Sequence, residues 1–359
     1  MRKAVRFDSR SVKRWLNYTQ MTISLRRLTF GLLSAFSLGL AGCASVFRPS
    51  PGSVLKRSGD EIVVAGQLFH TGTPVITWMD PHGFDGYRVE RRFSPLAESS
   101  WEKTQRATKE ITTPNRYSIR GAVLSPDEIE RFRGGAWDLA TLQRVVDEFV
   151  IHYDECGTSK VCFDVLHDRR GLSVHFLLDI DGTIYQTLDL KERARHATSA
   201  NDRSIGIEIA NMGAFAPQTQ SPLADWYARD ASGKTYIKLP KAVDVTWIHT
   251  PGFVGYPLRS EPIVGVIQGQ LLKQYDYTSQ QYQALIRLTA ALCKIFPNLK
   301  CDYPHDSQGN LITHKLTNTE LKSYRGILGH YHVQMNKIDP GPAFNWPNFI
   351  KAVSAEIAD

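Results

Sequence analysis

Arg325-Gly-Ile-Leu-Gly-His-Tyr-His-Val-Gln-Met-Asn-Lys-Ile-Asp-Pro-Gly-Pro-Ala-Phe344 is the stretch around which the rest of the chain is read. Its short apolar run Ile327-Leu328 predicts a buried strand, and Asp339-Pro340-Gly341-Pro342 predicts a rigid turn. Between them stand His330 at the strand end, Lys337, and Asp339 nine residues beyond the histidine. A strand-end imidazole and a carboxylate in a proline-locked loop can address one metal ion. Zinc takes both ligand types, and a catalytic zinc site leaves its fourth position to water. Alone the pattern is not decisive, because a strand-end histidine is more often structural. A further ligand and a base have to come from elsewhere in the chain.

Working outward, Phe149-Val-Ile-His-Tyr153 predicts a strand that delivers His152, followed by polar Asp154 and Glu155. In Ser204-Ile-Gly-Ile-Glu-Ile-Ala210, Ile205, Ile207 and Ile209 share one strand face, and Ser204, Gly206 and Glu208 share the other. A carboxylate in so apolar a strand is either paired or functional, which makes Glu208 the candidate base. Further strands are expected at 62–65, 74–78, 172–178 and 183–188, with alternation over 87–92. Ser125-Pro-Asp-Glu128 predicts a capped helix ended by Gly134-Gly135, and a second helix follows from Asp138. Thr278-Ser-Gln-Gln281 is a capping box, with Tyr277 and Tyr282 placed as a hydrophobic staple, for a helix that stops before Pro297. A closing helix covers 346–357. Residues 213–276, rich in Pro, Tyr and Gly, form a long insertion of the kind that makes lids or small subdomains.

The amino terminus has a different character. Residues 1–42 carry eight basic side chains against one acidic, and the apolar run Leu28 to Ala41 is too short to span a bilayer as a helix. Its length is that of a signal-peptide core, ending Leu40-Ala41-Gly42-Cys43. Met21 is an alternative start. The whole chain is +7; without this segment it holds 35 charges of each sign, so the high pI gives no support to nucleic-acid binding. Residues 43–60 read as a tether and 61–135 as an extension without an assigned function. Cys156, Cys162, Cys293 and Cys301 remain, an even number suited to an oxidising compartment. The short separations favour 156–162 and 293–301 among three possible pairings, each contributing about 2–3 kcal/mol on the chain-entropy model. The alternative is four ordinary thiols.

Several motifs taken together resemble the zinc-dependent N-acetylmuramoyl-L-alanine amidases, whose fold is shared with phage lysozyme-type amidases and peptidoglycan recognition proteins. They are Val150-Ile-His152, Leu172-Ser-Val-His-Phe176 with Asp181-Gly-Thr-Ile-Tyr185, Arg195-His196-Ala197, Asn201 to Glu208, the Tyr277 to Leu285 helix, Gly329-His330, and Lys337 to Phe344. The resemblance implies an α/β domain over 136–359, a mixed central sheet flanked by helices. It implies zinc on His152, His330 and Asp339, with Glu208 as catalytic carboxylate and Lys337 as oxyanion stabiliser. His196 and Asn201 are implied to meet the substrate. Val174 stands where some relatives carry a catalytic tyrosine, so that role passes to Glu208 or is absent. The Cys156–Cys162 spacing resembles a disulfide of the recognition proteins. The end of the apolar run resembles a bacterial lipobox, which implies lipidation at Cys43 and anchoring in the periplasm, at the outer membrane, as a monomer acting on peptidoglycan or muropeptides. The competing expectation is a non-catalytic peptidoglycan-binding lipoprotein on the same fold.

Overall fold

The computed structural model describes residues 50–358. All regular elements described below belong to one compact unit, Lys56–Asp359. The expected signal segment 1–42, the lipidation residue Cys43 and the start of the tether lie outside the described residues.

In chain order the strands are β1 (Glu61–Val64), β2 (Gln67–His70), β3 (Val75–Thr77), β4 (Glu148–Tyr153), β5 (Phe176–Leu178), β6 (Ile184–Gln186), β7 (Ser204–Ile209), β8 (Tyr227–Arg229), β9 (Thr235–Ile237), β10 (Ile263–Ile267), β11 (Gln270–Gln274) and β12 (Gly326–Gly329). The helices are α1 (Trp101–Ala107), α2 (Pro126–Arg133), α3 (Leu139–Val145), α4 (Ser159–Phe163), α5 (Leu223–Trp226), α6 (Ser279–Ile295), α7 (Asn318–Ser323), α8 (His330–Val333) and α9 (Trp346–Ala358). Six strands form one mixed sheet in the order β12-β4-β7-β5-β6-β3. The first four are mutually parallel, β6 runs against β5, and β3 lies parallel to β6. This is the mixed, helix-flanked sheet that the motifs implied. The expected extension over 61–135 supplies its last strand, β3. The 213–276 insertion folds into two antiparallel hairpins, β8–β9 and β10–β11.

Strand alternation explains how the layers are laid down. Phe149 and Ile151 of β4, all three isoleucines of β7, and Phe176 and Leu178 of β5 face one side. There they pack with Leu285, Leu288 and Leu292 of α6 and Phe349 and Val353 of α9. Helix α6 starts where Thr278 accepts from the Gln281 N–H while the Gln281 side chain returns to the Thr278 N–H, satisfying two otherwise orphaned donors. The other face carries Val150 and Leu328, packed with Ala197 and Ala200, and Leu177 and Tyr185 beneath Cys162 and Phe163 of α4. Burying an Ile or Leu side chain is worth about 1.5–3 kcal/mol. A one-residue slip of β7 would turn three isoleucines out of the core and Glu208 into it, so the hydrophobic pattern enforces the register.

Two strand expectations change. Of 172–178 only Phe176–Leu178 is strand; before it Ser173 leaves the sheet direction to donate through Oγ to Arg116 O at 2.8 Å. The alternation over 87–92 is not a strand, because Arg88 turns inward to an ion pair with buried Asp168 at 2.9 Å.

Candidate active site

His152 is the penultimate residue of β4, and β12 runs parallel beside it so that His330, the first residue after β12, arrives next to it. Asp339 returns from the turn beyond α8, and its carbonyl accepts from the Tyr331 N–H at 3.2 Å, tying the loop to the helix. Three buried ligand atoms result. His152 Nδ1 lies 3.0 Å from His330 Nδ1 and 2.8 Å from Asp339 Oδ2, and His330 Nδ1 lies 3.0 Å from the same oxygen. Burial acts against the Asp339 charge, but His330 and His152 outweigh it and hold the carboxyl below its usual range. Burial, with His330 alongside, takes His152 down to about 4.

The donor set fits a divalent cation. His330 Nε2 donates to Gln334 Oε1 at 2.6 Å, so His330 Nδ1 is left with a lone pair. That lone pair faces a carboxylate oxygen and His152 Nδ1, which with it make three ligand atoms that one cation can share. The cation-facing nitrogen of a metal-bound histidine is commonly set in this way, by the partner of the other nitrogen. Gln334 carried no mark in the sequence analysis; the available signal was its spacing of four residues from His330, one helical turn.

Glu208 pairs in register with His152 across β7 and β4 and projects from the same face. It is only partly buried, yet its Oε2 is sealed from solvent and, among the described residues, without a partner. Burial, then the neighbouring Asp339 and Asp154, push its carboxyl well above the usual range. A cleft of about 370 Å³ opens over these groups and is lined in addition by Lys337, His196, Arg170 and Arg195.

The remaining expected site residues fall differently. His196 reaches the cleft wall, but its Nδ1 stands 3.0 Å from His152 Nε2. Asn201 does not line the cleft. It is buried, and its Oδ1 accepts from the His196 and Ala197 N–H groups at 3.1 and 2.7 Å. His332, though only two residues from His330, is not part of the site: it accepts at Nδ1 from the Gly329 N–H and donates at Nε2 to Ile312 O. The four cysteines are free thiols, so neither expected bond is formed here. The members of each expected pair are nevertheless neighbours that shift one another's titration, Cys156 with Cys162 and Cys293 with Cys301. Burial, with Cys156 adding to it, raises the Cys162 thiol and so holds back the thiolate that forms a disulfide.

Two imidazoles, a carboxylate and an adjoining acid at one edge of a mixed α/β sheet make a site able to hold a cation beside an acid–base group. Residues 142–342, more than half of the chain, match the Amidase_2 family, N-acetylmuramoyl-L-alanine amidase, and the chain belongs to that family. It is therefore a peptidoglycan amidase. Among solved structures it is similar to a selenomethionine derivative of AmpD, with 18% identity and a TM-score of 0.29 over 66% of this chain and 89% of that one. It is also similar to the N-acetylmuramyl-L-alanine amidase AmiD from E. coli, solved with anhydro-N-acetylmuramic acid-L-Ala-D-gamma-Glu-L-Lys. Identity there is 18% and the TM-score 0.31, over 58% of this chain and 57% of AmiD. The endolysin LysCS from Clostridium intestinale matches at 14% identity and a TM-score of 0.30, over 59% and 86%. No curated protein sequence matches the chain significantly.

Proposed function

We propose that the protein uses zinc to hydrolyse the amide bond between N-acetylmuramic acid and L-alanine, where glycan meets stem peptide. The observation that carries this is the convergence of His152 Nδ1, His330 Nδ1 and Asp339 Oδ2, beside Glu208, in a chain of the amidase family. Held by those three groups, zinc supplies a Lewis acid that polarises the amide carbonyl and lowers the pKa of water to about 7. Glu208 takes a proton from the attacking water and returns it to the nitrogen of the leaving L-alanine. Its place beside His152 on the cleft face puts it within the site where both halves of that transfer occur. The water oxygen becomes part of the muramic-acid carboxyl group, the C–N bond breaks, and the amine leaves neutral. Lys337, on the cleft wall, offsets the negative charge that develops on the carbonyl oxygen. Arg170 and Arg195 supply cations for the carboxylates of the stem peptide.

The test is mass analysis of products from purified peptidoglycan and from soluble muropeptides, with zinc-loaded and chelated protein. The expected product is a stem peptide with a free L-alanine amino group, formed only with metal present. Binding of muropeptides without any release, at full zinc loading, would overturn catalysis in favour of a binding protein. Cleavage at another amide would overturn the assigned bond.

We further infer that Cys43 is lipidated and holds the amidase domain, 136–359, in the periplasm at the outer membrane. The support is the order of basic segment, apolar run and Leu40-Ala41-Gly42-Cys43. Among the described residues no helix is long and apolar enough to cross a membrane. Cys43→Ser should release the protein or leave it unprocessed; an unchanged mass and membrane fraction would refute the anchor.

A further inference from the structure

We propose that His196 is a positioning residue for the metal site, acting through His152 rather than on the substrate. Three contacts converge on its ring. His196 Nδ1 lies 3.0 Å from His152 Nε2, and His196 Nε2 lies 3.2 Å from Ser204 Oγ. The ring also rests on the backbone of β7 at Gly206, where a Cβ would come within 2.5 Å of His196 Nδ1. The backbone beneath the ring is pinned by Asn201 Oδ1, which accepts from the N–H groups of both His196 and Ala197. The Ser-Ile-Gly-Ile-Glu strand therefore performs three tasks from one face. Ser204 holds the far nitrogen of His196, Gly206 makes room for its ring, and Glu208 stands beside His152.

The hydrogens of this chain can run in two senses. If His152 Nδ1 carries a hydrogen, His152 Nε2 accepts from His196. If His152 Nδ1 presents its lone pair to a cation, Nε2–H must donate to His196 Nδ1, and His196 Nε2–H then donates to Ser204 Oγ. The same serine hydroxyl serves both senses, as acceptor or donor. His196 and Ser204 thus let His152 adopt the ligating tautomer without leaving its Nε2–H unpaired at a buried position, where an orphaned donor costs about 1–3 kcal/mol. The other histidine ligand has a separate holder, Gln334 on its Nε2. Each imidazole is fixed from behind by a different element, and both Nδ1 atoms point at one place. A ring whose Nδ1 is engaged by His152 and whose Nε2 is engaged by Ser204 has no free nitrogen for substrate.

The proposal rests on zinc being held by His152, His330 and Asp339. The experiment compares zinc affinity by chelator competition, the absorption spectrum of the cobalt-substituted protein, and kcat and KM on a muropeptide, in wild type, His196→Ala, His196→Asn and Ser204→Ala. Outer partners of ligating histidines typically contribute about 10–100-fold to metal affinity. His196→Ala is expected to lose that much, with an altered cobalt spectrum and a KM that changes little at saturating metal. His196→Asn, whose Oδ1 takes roughly the place of Nδ1 and accepts from His152 Nε2–H, is expected to recover part of the affinity. Ser204→Ala keeps both rings and should show a smaller loss in the same direction, so the test survives if His196→Ala fails to fold. Unchanged zinc affinity with a raised KM would overturn the proposal in favour of a substrate contact. Equal losses in the Ala and Asn variants would reduce His196 to packing. Wild type that binds no zinc would overturn the metal site itself, and is told apart by that control.

Discussion

Glu208→Gln separates chemistry from architecture. In the structure Glu208 is the cross-strand partner of His152 on the cleft face of the sheet, and its Oε2 is sealed from solvent without a partner among the described residues. Glutamine keeps the volume and the strand, and removes the only function that a neutral amide cannot supply, reversible proton uptake. General acid–base catalysis is worth about 10²–10⁴-fold, or roughly 3–5 kcal/mol at 1.36 kcal/mol per decade. Turnover should fall by that factor. The stability change should be small and of either sign. The variant escapes burying an ionisable carboxyl, but it places an amide N–H₂ in the sealed position, where an unpaired donor costs about 1–3 kcal/mol. The assay is release of stem peptide from a soluble muropeptide at matched zinc occupancy, with a melting curve on the same samples. A fall of 100-fold or more with a melting temperature within a few degrees of wild type is the expected pair. Near wild-type turnover would remove Glu208 from the reaction, and a loss of activity that tracks unfolded protein would make it a structural residue.

Other outcomes follow from the same geometry. His152→Ala, His330→Ala and Asp339→Ala should each lose stoichiometric zinc, read by metal analysis of the folded protein; retention by any one of them removes that residue from the ligand set. Glu148, buried at the start of β4, is pushed up to about 8 from 4.5, first by burial, while Arg203 pulls the other way. Arg203 approaches it at 3.3 Å but spends its hydrogens on Asp147 and on carbonyls at Lys322 and Tyr324. Between pH 4.5 and 8 the folded state holds a proton that the unfolded state has released, so this group's stabilisation is full below pH 4.5 and lost as pH rises through 8. Urea melts at pH 5 and pH 8 should show that Glu148→Gln flattens this loss; an unchanged slope refutes the assignment. Non-reducing peptide mapping of protein exported to an oxidising compartment should find Cys156–Cys162 and Cys293–Cys301; free thiols at all four positions there would refute both pairings. Arg195→Ala should raise KM for muropeptides several-fold with kcat little changed, and an unaltered KM would remove Arg195 from substrate binding.

Much of the candidate site was legible because its signals are local. Alternation in Ser204–Ile209 is a property of one strand, and it put Glu208 opposite the isoleucines before any partner strand was known. The capping boxes at Ser125 and Thr278 depend on residues three apart, and both helices start where those boxes stand. His152, His330 and Asp339 were marked by strand ends and a proline turn, again features of short segments. Tertiary contacts decided the rest. The sequence predicts a strand over 74–78, but nothing in those residues says that Val75–Thr77 lies parallel to Ile184–Gln186 at the far end of the sheet. Asn201 looked like a substrate residue and is a backbone clamp, because the 196–201 loop folds back on itself. His196 and His152 are 44 residues apart and meet only because the loop carrying His196 crosses β7 at its one residue without a side chain. A chain declares its periodicities and turns residue by residue, since those follow from neighbouring backbone and side-chain sterics. Which distant groups end up 3 Å apart is set by how the layers pack, and that appears only when the sheet is assembled.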